Sequence, residues 1–171
     1  MPLFAKLLAT RVILLITGWM LLYHLVLKPH RMPDRWLSNT TASATAKVLS
    51  AWYQQPTTVV ETQSGSGILM NNRRLIFIAY NCDALELYLM YTGFLFCIPT
   101  TKKRFFAFAI IGVITIFIIN VLRCFILTLL NFNKPEWFGF AHHYAFSLVV
   151  YAFIFFGWYL YSKKIIKPDV A

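Results

Sequence analysis

Apolar and polar residues fall into long blocks along this chain. Three apolar runs, 3–27, 105–131 and 141–161, are long enough to cross a hydrocarbon layer of about 30 Å as helices. A fourth run, 83–98, ends at Pro99 and is short for that task, so 75–80 is expected to supply extra apolar length at its outer boundary. The one sizeable polar stretch is 29–80. Within it, 38–53 mixes Ser, Thr and Ala with Val48, Leu49 and Trp52, close to Trp36, which predicts an interfacial helix capped by Ser38 or Asn39. After Pro56, the β-prone 57–62, the turn Ser64-Gly65-Ser66-Gly67 and the apolar 68–70 and 75–78 predict a short hairpin that has to pack on the helices to be stable. Residues 132–139 read as a short outer loop. The predicted fold is an all-α integral membrane protein: one polytopic domain over 1–171, about four transmembrane helices, and a small extracytoplasmic insertion.

Composition agrees, since 59% of the residues are hydrophobic and 13% charged, leaving little room for a separate soluble domain. In a soluble protein a net charge of +10 would suggest nucleic acid. Here Lys and Arg cluster beside apolar runs, where they set topology, so the expected partner is the lipid bilayer and not nucleic acid. Lys6 and Arg11 near the start, the basic turn Thr100 to Arg104 and the basic tail 162–167 place both termini and that turn in the cytoplasm. Tyr23, His24, Lys28 and Pro29 stand at the end of the first run, where a cleaved signal would have small residues, which predicts a retained span. The expected location is the cell (inner) membrane, with 29–80 outside. Three cysteines, an odd number and widely spaced, give neither a disulfide framework nor a CxxC metal pair.

Arg123 is the residue hardest to reconcile with a purely structural membrane helix. An arginine at mid-span costs roughly 2.5 to 3.5 kcal/mol on insertion scales and usually marks function. The predicted topology brings Cys82, at the outer end of the second span, and His142 and His143, at the outer end of the fourth, to the same face. A neighbouring imidazolium or guanidinium would lower the thiol pKa of Cys82. A histidine would then serve as acid and base, and Arg123 would hold a developing oxyanion. Asn120, one turn before Arg123, would orient the guanidinium. Plainer readings stand beside these: Cys97 and Cys124 as small core hydrophobes, the paired histidines as headgroup anchors, and Asp83 or Glu86 as ion-pair partners of Arg123. His24 and His30 are assigned to the outer interface without a role.

At these residues the chain resembles the exosortase and archaeosortase family of membrane-embedded cysteine transpeptidases, as a short member. The similarity rests on Asn81-Cys82-Asp83-Ala84-Leu85 opening one span, Asn120-Val121-Leu122-Arg123 inside the next, and His142-His143-Tyr144-Ala145-Phe146-Ser147 opening the last. The resemblance implies Cys82 as nucleophile, Arg123 as its transition-state or substrate partner, and His143 as acid and base, preferred because small Ser147 follows four residues later; His142 is the alternative. Many members have glycine where this chain has Ala84, and larger members have further helices. The implied reaction is cleavage of a secreted protein at a carboxy-terminal sorting signal through a Cys82 thioester resolved by an amine or other surface acceptor. No metal or organic cofactor is implied. A different class of reading is a non-catalytic membrane assembly or transport subunit in which Arg123 is a structural ion-pair partner. A redox role would need a disulfide from Cys82, and neither Cys97, some four turns along the same helix, nor Cys124 is placed for it.

Overall fold

The computed structural model describes residues 2–27, 32–80, 84–98 and 100–166. In chain order these form helix α1 (Pro2–Leu22), which continues as a π turn at Tyr23–Leu27; helix α2 (Met32–Tyr53); strands β1 (Thr57–Thr62), β2 (Gly65–Met70) and β3 (Arg73–Ala79); and helices α3 (Leu85–Cys97), α4 (Lys102–Asn133) and α5 (Pro135–Phe140). A second π turn at Ala141–Ala145 leads into α6 (Phe146–Ile166). Two stretches, Lys102–Asn133 and Pro135–Lys163, are long and apolar enough to cross a bilayer, whereas Thr10–Leu25 and Leu85–Cys97 are shorter apolar segments.

The predicted 105–131 is longer at both ends, because Lys102, Lys103 and Arg104 belong to the first turn of α4 instead of a loop before it. Cations there oppose the helix dipole, a cost of a few tenths of a kcal/mol each. Arg104 turns inward to offset it, donating from Nη2 to the carbonyls of Leu160 (2.9 Å) and Tyr161 (2.7 Å). The expected loop 132–139 is also mostly helical. Lys134 leaves helical geometry (φ −149°), and Pro135 then starts α5, a position where its missing N–H costs nothing. Residues 75–80 do not lengthen the second span. They lie mainly in β3, since the apolar positions Leu75 and Ile78 are buried beneath a sheet.

The insertion is a three-stranded antiparallel meander, β1-β2-β3, where a hairpin was expected. The missed signal is Asn71-Asn72, a two-residue connection with both φ positive (49° and 61°), as a type I′ turn requires. The strand β2 starts at Gly65, inside the predicted turn; a Cβ there would collide with the Ile78 carbonyl across the ladder. Ser38 and Asn39 are not caps, because α2 already begins at Met32. Ser38 is instead fully buried, donating to the Ile78 carbonyl (3.1 Å) and lying 3.3 Å from Ser66 Oγ. The buried face of α2 also carries Ala42, Ala46 and Leu49, which meet Ile68, Leu75 and Ile78 of the sheet and Cys124 of α4. At the rim Arg35 pairs with Glu61, holding that carboxyl below its ordinary range chiefly through the hydrogen bond, with charge attraction adding less than desolvation takes away. A depressed carboxylate stabilises above its unfolded pKa and loses that stabilisation as pH falls through its folded value.

The other core is aromatic and joins α3, α4 and α6. Tyr91, 4% exposed, lies flush against Gly112 and donates to the Phe108 carbonyl (3.1 Å), while Tyr161 is fully buried and donates to the Leu95 carbonyl (3.1 Å). Phe94 stacks on Trp158 at 4.1 Å. Where lipid surrounds helices, apolar burial gives no preference for protein over bilayer, so close approach at small residues does the packing. The opposite faces of α4 and α6 present Ile110, Ile114, Ile118, Phe153 and Phe156 outward, as lipid contact demands.

Three stability outcomes follow. Gly112→Ala should cost about 1–3 kcal/mol, because its methyl would occupy the place of the Tyr91 ring, whereas Gly139→Ala, with open space around it, should change little; unfolding temperature in detergent measures both. Ala84 sits at φ 69°, a conformation costing a non-glycine residue about 1–2 kcal/mol, so Ala84→Gly should hold or raise that temperature and Ala84→Val should lower it. The fall in stability on acidification from about pH 5 should be shallower in Glu61→Gln than in the native chain, as read by acid titration of unfolding.

Candidate active site

Helices α4 and α6 run antiparallel, joined through the break at Lys134, and this hairpin sets what faces Arg123. Arg123 lies ten residues before the end of α4 at Asn133, about 15 Å along the axis. His142 follows the break by eight residues and so stands at a similar level. It belongs to the π turn Ala141–Ala145, which is closed by the Phe146 N–H bonding the Ala141 carbonyl. Such one-turn widenings are frequent at functional sites.

Arg123 Nη2 is 3.4 Å from His142 Nε2. A guanidinium can only donate, so Nε2 accepts and the ring in this contact is neutral with its hydrogen on Nδ1. Phe138 stacks on the His142 ring at 5.8 Å with planes 16° apart, fixing its orientation. The contact to Arg123 is therefore made by His142 and not by His143. His143 is exposed, with its ring edge-on to His142 at 4.8 Å, and its carbonyl accepts from Ser147 Oγ at 3.2 Å. Asn120 is 3% exposed, one turn below Arg123 and on the face of α4 that carries Ile116 and Cys124.

Arg123 also lines a cavity of about 210 Å³ together with Asp34, Tyr80, Glu86, Ser147 and Tyr151. Residues Ala84 to Leu87, the start of α3, form one wall of it. Cys82, with its neighbours Asn81 and Asp83, lies outside the described residues, two positions before Ala84. Ala84 itself takes the left-handed conformation, and its carbonyl accepts the N–H groups of Leu87 and Tyr88 to begin the helix. Its φ of 69° is one that glycine would adopt without strain. Cys97 and Cys124 are both buried and outside any disulfide, consistent with packing roles. Among the described residues no carboxylate lies within ion-pair distance of Arg123, and no three His, Cys, Asp or Glu side chains form a metal cluster.

Two site features escaped sequence reading. Asp34, 7% exposed, reaches the cavity from the first turn of α2, and nothing but its isolation beside Pro33 in a polar stretch marked it. Phe138 carries the His142 ring from a segment read as loop; its spacing of four residues from His142 was the available signal.

No curated protein matches this chain, and no solved structure does. A sequence profile described as transmembrane exosortase matches residues 4–160. That match spans nearly all of the 171 residues, including the helix hairpin that brings Arg123 to His142 and both walls of the cavity, and it agrees with the two long apolar helices in placing the protein in a membrane. The chain belongs to the transmembrane exosortase family.

Proposed function

We propose that this chain is a cysteine transpeptidase that cleaves secreted proteins at a carboxy-terminal sorting signal and passes the new carboxyl end to a surface acceptor. The family acts on secreted proteins with sorting signals within the membrane. The observation that carries the finer reading is the Arg123–His142 contact beside a cavity lined by Ala84, the residue two positions after Cys82 in the sequence. In this reading Cys82 is the nucleophile, His142 the acid and base, with His143 beside it, and Arg123 the oxyanion partner supported by Asn120.

The proton transfers follow from the contact. His142 Nε2 takes the thiol proton of Cys82, and the sulfur attacks the scissile carbonyl carbon. A protonated Nε2 no longer accepts from Arg123, and like charge separates the two groups, so the guanidinium turns to the oxygen on which negative charge develops. Collapse breaks the C–N bond, and the leaving amine takes the proton from Nε2 while a thioester remains on Cys82. An acceptor amine then gives its proton to Nε2 and displaces the sulfur; water in its place gives hydrolysis.

The same reading uses four crossings, 3–27, 83–98, 105–131 and 141–161, with the basic residues 102–104 at the cytoplasmic face of the cell membrane. Arg123 follows Arg104 by nineteen residues, about 29 Å along α4, which is close to the thickness of the hydrocarbon core. Its charge then sits at the outer boundary, where it costs far less than at mid-span and faces exported substrates.

Processing in cells tests the assignment. Cys82→Ala should leave the substrate uncut and membrane-held, and Arg123→Ala should slow cleavage by about 10²–10³-fold. His142→Ala should cost about 10²–10⁴-fold and His143→Ala markedly less, by kcat/KM or by the uncut fraction on immunoblots. Full processing by Cys82→Ala would end the proposal.

A further inference from the structure

A second, larger hollow of about 900 Å³ lies between α1 and α3, lined by Leu15, Gly18 and Met20 on one side and Leu89, Met90 and Phe96 on the other. It shares Trp19, Tyr23 and Glu86 with the lining of the Arg123 cavity, so the two adjoin at that end. We infer that this groove seats a single apolar transmembrane helix and delivers the segment just outside that helix to the Arg123 cavity. The inference rests on the reading of the cavity as the place of cleavage.

Dimensions, exposure and charge all favour a helix over other occupants. The α1 wall runs from Leu15 to His24 and the α3 wall from Glu86 to Phe96, about 14 and 15 Å, which is between two and three helical turns. Met20, Met90 and Phe96 are 58%, 37% and 73% exposed, so the groove is open on its side, toward lipid, and a helix enters it without leaving the bilayer. Gly18 lies in it with nothing within 4 Å of where a Cβ would stand, a small-residue surface of the kind on which membrane helices approach closely. Glu86 is exposed at the end shared with the cavity. A terminal span of an exported protein runs from outside to inside, so its first turn, with unpaired N–H groups and the positive end of its dipole, comes to rest at that carboxylate. An acyl chain offers Glu86 no such partner.

The test uses the full chain in phosphatidylcholine–phosphatidylglycerol vesicles with a synthetic single-span helix of leucine and alanine, about 23 residues long and lysine-flanked. A photo-reactive benzoylphenylalanine replaces Met90 in the groove or, as control, Ile110 on the lipid face of α4. The expected result is a peptide adduct at position 90 exceeding that at 110 by about 5-fold or more, cut by a similar factor in Gly18→Trp, kept in Gly18→Ala, and weakened about 2- to 5-fold in Glu86→Gln. Because Gly18 faces open space, Gly18→Trp should retain its unfolding temperature, and Met90→Trp provides a second block, probed then from Phe96. Equal adducts at 90 and 110, adducts with lipid alone, or adducts only with a second copy of this chain would overturn the inference. No cleavage occurs in this assay, so the two readings fail separately. If Cys82→Ala still processed substrate in cells while the groove adduct persisted, the chemistry would fall and the groove would stand. If Cys82→Ala blocked processing but the adducts were equal, the groove alone would fall.

Discussion

A guanidinium on an apolar helix has to be given a polar partner, and the rest of this structure is arranged around that demand. Arginine is a strong, always-charged donor, so the chain answers with an acceptor from the facing helix, His142 at 3.4 Å, and with a small cavity to which α2, α3 and α6 bring Asp34, Glu86, Ser147 and Tyr151. The short break at Lys134 is what makes this possible. Pro135 restarts the helix at once, so α4 and the segment carrying His142 fold back on each other with their polar groups at one level. The lower halves of α3, α4 and α6, with Tyr91 against Gly112 and Tyr161 bonded to Leu95, keep the bundle rigid below that level.

The division of labour between the two cores follows from their surroundings. In the bundle, small residues admit aromatic rings, and the rings spend their hydroxyls on helix carbonyls such as Phe108 and Leu95. In the insertion, α2 buries serine, threonine and alanine against a sheet too small to be stable alone, so Ser38 has to satisfy Ile78 and Ser66 across the interface. Cys124 joins the insertion core from α4, the helix of Arg123. The sheet and α2 therefore brace the carboxy-terminal half of that helix.

What could be read from the chain tracks how local its cause is. The apolar blocks at 105–131 and 141–161 announced their helices, and the charge of Arg123 inside an apolar block pointed to the place where His142 and a cavity are found. The ends were misjudged where a local cue competed with topology: Lys102 to Arg104 look like a loop by charge, yet Arg104 is drawn onto the carbonyls of Leu160 and Tyr161. Leu75 and Ile78 looked like membrane because apolarity alone does not distinguish lipid from a sheet core. Asn71-Asn72 carried the third strand and was legible in principle. Which histidine meets Arg123 was not, because the answer depends on a widened turn, and no periodicity in His142-His143-Tyr144 reports it.

That widened turn has a consequence for how insertions and deletions would act. A π turn holds one residue more than the α turn it replaces, so the stretch from Pro135 is out of phase with the stretch from Phe146 by about 100° relative to a continuous α-helix. Losing a single residue between Ala141 and Ala145 would let the helix close up and swing Phe138 and the imidazole above it away from α4, while Trp158 and Tyr161 stayed in place. Side-chain size there is a lesser matter; residue number is what keeps the segment from Pro135 aimed.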